Sequence, residues 1–104
     1  MALKEVLIEQ IEKNHKNISF YEEHLSTLPK GSLHSITVKG SKQYYLKYYN
    51  DRGKRREISV EKQEFEIIRN QLQMRDQIER WIQELNEDIK VAEKTLKNII
   101  REEK

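Results

Sequence analysis

A chain of 104 residues, 36% hydrophobic and 37% charged, has the size of one domain and little apolar material for a thick core. It has no cysteine, which excludes a disulfide scaffold or a thiolate metal site and fits a reducing compartment, so the cytoplasm is the expected location. The net charge of +2 hides a division: residues 1–29 sum to −2, residues 30–57 to +6 and residues 58–104 to −2. A positive field so localised can steer an acidic partner, either nucleic acid or an acidic protein face.

The N-terminal segment carries charges every few residues and lacks the uninterrupted apolar run of a signal peptide or membrane span, so no membrane partner is expected. From Leu3 to Leu28 the apolar residues Leu7, Ile11, Ile18, Tyr21, Leu25 and Leu28 keep spacings of three and four once Asn14 is admitted as a polar interruption. That spacing predicts a helix over 1–28. Val6, Ile8 and Phe20 widen the stripe, which implies contact with more than one neighbour. Pro29 stops the helix because the residue before proline is pushed out of the α region, and Gly31 permits a sharp exit.

Within 33–60, the stretches Ile36–Val38, Tyr44–Tyr49 and Ile58–Val60 are rich in β-prone residues and separated by turn residues, which predicts three short antiparallel strands. Asp51-Arg52-Gly53 suits a three-residue hairpin loop with Gly53 in the left-handed region. Asn50 then faces Lys54, and counting back sets Tyr48 opposite Arg56, Leu46 opposite Ile58 and Tyr44 opposite Val60. The apolar side chains thus share one face, and Tyr45, Lys47, Tyr49, Arg55 and Glu57 share the other. The first turn leaves two registers open: a two-residue Gly40-Ser41 loop pairs Ile36 with Tyr45, and a three-residue loop pairs it with Tyr44.

Ser59 stands where a helix cap is needed, with Glu61 in the first turn. The stripe Phe65, Ile68, Leu72, Ile78, Ile82, Leu85, Ile89, Ala92, Leu96 and Ile99 then runs without glycine or proline and predicts a helix over 61–103. Around Arg75 two successive steps of three form a stammer beside Trp81. The expected fold is α+β in a single domain, 1–104: two long antiparallel helices, a helical hairpin or coiled coil, with a small three-stranded antiparallel sheet between them. If Leu28 packs near Glu61, equal helical rise brings Leu3 near Asn86 and leaves the tail beyond Glu87 overhanging. Ile89, Ala92, Leu96, Ile99 and Ile100 would then need a cover, which predicts a homodimer or a partner docking there. The alternative is a bend at Asn86-Glu87-Asp88 that folds the tail back as a third helix.

No catalytic constellation emerges, so the chain reads as a non-enzyme without cofactor. His15, His24 and His34 are scattered without a second ligand at convincing spacing, and no metal site is expected. Glu9-Lys13, Glu12-Lys16 and Glu93-Lys97 are i, i+4 pairs of a solvated surface. The hairpin region combines flat tyrosines with basic charge, a combination that grips nucleic acid or anchors a protein interface. Its candidate partner-binding residues are Lys39, Lys42, Tyr45, Lys47, Tyr49, Arg52, Lys54, Arg55 and Arg56.

The LPKGSL corner at Leu28 to Leu33, the tyrosine-rich hairpin at Tyr44 to Tyr49 and the Glu/Lys helix from Glu61 onward resemble small uncharacterised proteins of phages and related mobile elements. That resemblance covers nearly the whole chain and implies no catalytic residues. Proteins of this kind include inhibitors of host RNA-guided nucleases, the anti-CRISPR proteins, so it implies an inhibitor that binds a host protein or nucleoprotein complex. The hairpin YYLKYYNDRGKRREIS is also similar to the three-stranded arm-binding domains of phage-type integrases, whose sheet enters a DNA groove. This second likeness implies a DNA- or RNA-binding accessory protein instead.

Overall fold

The computed structural model describes residues 2–103. Its elements in chain order are α1 (Leu3–Leu25), β1 (Ser32–Val38), β2 (Ser41–Tyr49), β3 (Arg55–Val60) and α2 (Lys62–Glu102). The fold is therefore α+β, two helices with a three-stranded antiparallel sheet between them in sequence, in the order β1-β2-β3. These elements form two compact units, one of α1 with the part of α2 from Ile78 onward, the other spanning Thr27–Gln77. Among the described residues no helix is long and apolar enough to cross a membrane.

In the first unit, α1 runs antiparallel to the second half of α2. The rings of Tyr21 and Trp81 lie with centroids 5.5 Å apart near one end, and Lys4 Nζ donates to the Glu103 carboxylate at 3.3 Å near the other. Ile18, Ile78, Ile89 and Ala92 are buried, Ile78 most of all at 2% exposure. The polar interruption in the α1 stripe is buried with them: Asn14 is 3% exposed. Its Oδ1 accepts from Gln10 Nε2 at 3.1 Å, one turn earlier, while its Nδ2 has no hydrogen-bond partner. Val6, Ile8 and Phe20 are exposed, so the widening of the stripe is not buried. The helix ends three residues before the predicted stop. The Ser26 N–H donates to the Glu22 carbonyl at 3.2 Å and the Ser26 hydroxyl to that of Glu23 at 2.6 Å, which satisfies the last carbonyls before Pro29 is reached.

In the second unit, the β2–β3 register is the one read from the sequence, with Tyr44 opposite Val60, Leu46 opposite Ile58 and Tyr48 opposite Arg56. Asn50 controls the turn. Its N–H donates to the Lys54 carbonyl at 2.9 Å, its carbonyl accepts from Gly53 at 2.9 Å, and its side-chain oxygen accepts from the N–H groups of Arg52 at 3.0 Å and Lys54 at 2.9 Å. Gly53 takes φ +75°, the left-handed value the loop requires.

The β1–β2 register matches neither sequence alternative: Ile36 faces Gln43 and Val38 faces Ser41, with a two-residue Lys39-Gly40 turn. Both turn residues have positive φ, Lys39 at 50° and Gly40 at 81°, the twist-compatible geometry that joins strands through two residues. A lysine rarely adopts it, so turn propensity points one residue later, to Gly40-Ser41.

The start of β1 is fixed by a close approach. Gly31 sits at φ +123°, and a Cβ there would lie 2.2 Å from the Lys47 carbonyl oxygen. On the opposite edge strand, Ser59 stays in strand pairing with Tyr45 and does not cap α2. The Glu61 carbonyl instead accepts from Glu64 at 2.9 Å and Phe65 at 3.1 Å and opens the helix. α2 is continuous through Asn86-Glu87-Asp88, so no third helix forms. At the stammer, Arg75 is half-buried and its Nη1 donates to the Leu28 carbonyl at 3.3 Å.

Candidate binding face of the sheet

Strand alternation splits the sheet into two unlike faces. Tyr44, Leu46 and Tyr48 of β2 share one face with Leu33 of β1 and Arg56, Ile58 and Val60 of β3. Leu46 and Val60 are buried there, and the Tyr44 ring lies against Phe65 of α2 with centroids 4.5 Å apart. This face supplies the unit's core. The other carries Gln43, Tyr45, Lys47 and Tyr49 on β2, with Ser32, His34, Ile36 and Val38 on β1 and Arg55, Glu57 and Ser59 on β3. It lies open. Tyr49 is 66% exposed, and Ile36 and Val38 are exposed too.

The nine residues singled out from the sequence fall in several places. Tyr45, Lys47, Tyr49 and Arg55 share the open face. Arg52 and Lys54 belong to the β2–β3 turn at the same end of β2 as Tyr49, whereas Lys39 lies in the β1–β2 turn at the opposite end. Lys42 and Arg56 alternate to the other face and are exposed at its margin. Nine residues of β2 span about 27 Å at roughly 3.4 Å per step, so the basic charge runs along the sheet in place of a single cluster.

Polar contacts hold the open face. Tyr45 donates its hydroxyl to Gln43 Oε1 at 2.7 Å. Lys47 Nζ lies 3.5 Å from the carboxylate of Glu57, its cross-strand neighbour. Ser32 Oγ and His34 Nε2 are hydrogen-bonded at 2.9 Å. Where β1 begins, β2 continues to Tyr49, and this step leaves a cavity of about 310 Å³ lined by Ser32, His34, Lys47, Tyr48, Tyr49 and Arg55. Sequence reasoning missed Ser32, His34, Ile36 and Val38 as members of this face. Their alternation with Tyr45 was readable, but their neighbours depend on the β1–β2 register.

The apolar tail residues are placed differently from expectation. Ile89 is 5% and Ala92 8% exposed within a single chain, Leu96 and Ile99 are half-buried, and Ile100 is exposed. α1 shares its unit with the second half of α2 and Lys4 reaches Glu103, so the tail beyond Glu87 does not overhang α1. The part of α2 before Ile78 belongs with the sheet.

Of the expected i, i+4 pairs, Glu9-Lys13, Glu12-Lys16 and Glu93-Lys97 do not close; the contacts formed include Lys4–Glu103, Lys47–Glu57 and Glu66–Arg69. His15 is exposed and His24 stacks on Phe20 at 6.4 Å. Among the described residues no three His, Cys, Asp or Glu side chains gather in a group that could hold a metal ion.

Compared with protein-family models, with curated proteins and with solved structures, the chain matches none of them.

Proposed function

We propose that this chain is a non-enzymatic binding protein that grips nucleic acid through the open face of its sheet. The observation that carries this reading is the division between the two faces: one is closed by Phe65 of α2 over Tyr44, while the other leaves Tyr49, Lys47 and Arg55 accessible. The unit Thr27–Gln77 has eleven basic against six acidic residues, a net +5. Basic side chains supply sequence-independent phosphate contacts and tyrosine faces supply stacking. A two-stranded antiparallel ribbon also has the width to enter a major groove. The hairpin's similarity to integrase arm-binding domains points the same way.

The test is a fluorescence anisotropy titration of labelled duplex DNA, single-stranded DNA and RNA at several salt concentrations. Binding should fall steeply with salt, and the K47E/R52E/K54E/R55E variant should lose it while keeping the circular dichroism of the parent. No retention of any of the three at about 50 mM salt refutes the reading.

A second reading, an inhibitor of a host RNA-guided nuclease encoded by a phage or mobile element, is favoured by Ile36 and Val38. Two aliphatic side chains exposed on the same face suit a protein interface better than a phosphate backbone. Capture of a host nuclease from lysate that survives nuclease digestion, and is lost in I36D/V38D, would select it over the first.

A further inference from the structure

The cavity at the start of β1 has a chemical character of its own. Ser32, His34, Lys47, Tyr49 and Arg55 all bring hydrogen-bond donors or cationic groups, and no carboxylate lines it. Tyr48 also lines it, although its side chain alternates to the other face. Register explains the convergence. Ser32 lies directly opposite Lys47 and Arg55 directly opposite Tyr49, so Lys47 and Arg55 are diagonal neighbours with backbones about 7–8 Å apart. Two long cationic side chains at that spacing can close on one tetrahedral anion. β1 begins at Ser32, so no strand stands beyond Tyr49 on that side. The close passage of Gly31 over the Lys47 carbonyl sets this boundary.

Glu57 competes for Lys47, its carboxylate lying 3.5 Å from Lys47 Nζ. Both side chains of that pair are exposed, at 39% and 59%. Such pairs are held weakly, so the ammonium can turn to a better acceptor. Ser32 and His34, joined at 2.9 Å, form a polar edge on the β1 side, and the exposed Tyr49 ring offers a surface for whatever is attached to the anion.

We infer that this notch is a phosphate seat, which takes one backbone phosphodiester of a bound nucleic-acid strand between Lys47 and Arg55 and stacks the adjoining base or sugar on Tyr49. The inference rests on the nucleic-acid reading and deepens it. It makes a claim that scattered charge does not: Lys47 and Arg55 serve the same phosphate.

For duplex DNA each phosphate contact contributes about 0.9 to the slope of log affinity against log salt. K47Q or R55Q alone should leave that slope nearly unchanged, because the remaining cation still meets the phosphate, and the K47Q/R55Q double variant should lower it by about one. Single variants that each lose about one, with a double variant that loses about two, show two independent contacts and overturn the seat, as does an unchanged slope in the double variant.

A second arm is independent of any oligonucleotide. Inorganic phosphate titrated into the intact chain should shift the imidazole resonances of His34, assigned by their loss in H34Q, and R55Q should abolish the shift. A phosphate response at His34 with no oligonucleotide binding refutes the nucleic-acid reading and assigns the seat to a small phosphate compound. No response at His34 together with an unchanged slope in K47Q/R55Q removes the seat and leaves the broader reading standing.

Discussion

Replacing Gly31 by alanine should be the most damaging single-methyl change in the sheet. At φ +123° an L-residue is strained whatever its surroundings, at a cost of about 1–3 kcal/mol. The added Cβ would stand 2.2 Å from the Lys47 carbonyl oxygen and 3.0 Å from the Tyr48 Cβ. The nearer atom is backbone, which cannot rotate aside, so β1 must lift from β2 at the Ser32–Lys47 pair. Losing one ladder hydrogen bond there adds about 0.5–1.5 kcal/mol, for a total of about 1.5–4.5 kcal/mol.

Gly40 and Gly53 supply the control. They have φ +81° and +75° with open space where a Cβ would go, so alanine at either should cost only the left-handed penalty of about 1–2 kcal/mol. Urea titration followed by circular dichroism gives the stabilities, and amide exchange across the β1–β2 ladder localises the loss. If G31A comes within about 0.5 kcal/mol of G53A, the usual error of such comparisons, the close-approach argument fails.

Two further substitutions probe other parts of the fold. N50A removes the side-chain acceptor shared by the N–H groups of Arg52 and Lys54 and should cost about 1–2 kcal/mol in urea, with N50D recovering most of it; equal losses in the two variants would refute the acceptor's role. N14L replaces a 3% exposed amide whose Nδ2 lacks a partner and should stabilise the helix pair by about 1–3 kcal/mol, read as a higher thermal midpoint, whereas a lower midpoint would show that the site cannot take the extra volume.

The two hairpins differ in how much of them the residues reveal. The β2–β3 turn was legible because Asn50 and Gly53 occupy the positions where their chemistry is needed, and one good turn sets the pairing of every residue behind it. The β1–β2 turn was not, because Lys39 adopts a conformation that lysine disfavours, so the propensity argument points to the next residue. The same contrast holds for the helices. The apolar period of α2 was plain from Phe65 to Ile99, but periodicity does not say which half α1 will choose. The Tyr44 face of the sheet takes Phe65, and Ile78 and Ile89 are buried in the unit that α1 shares with the second half of α2. That choice is a competition between tertiary partners and leaves no local mark. The open face was half legible for a related reason: its β2 and β3 members follow from a readable turn, its β1 members from an unreadable one.

The left-handed lysine at the β1–β2 turn has a consequence for how this molecule can be improved. Asparagine at position 39 would hold φ near 50° with less strain and should raise stability by about 1 kcal/mol. A chain that keeps lysine there forgoes an easy gain, which makes the turn tip a place where durability and charge are traded against each other. K39N separates the two: a gain in the urea midpoint with weakened oligonucleotide binding marks Lys39 as kept for its charge. A gain with undiminished binding marks it instead as a free site for making the protein hardier.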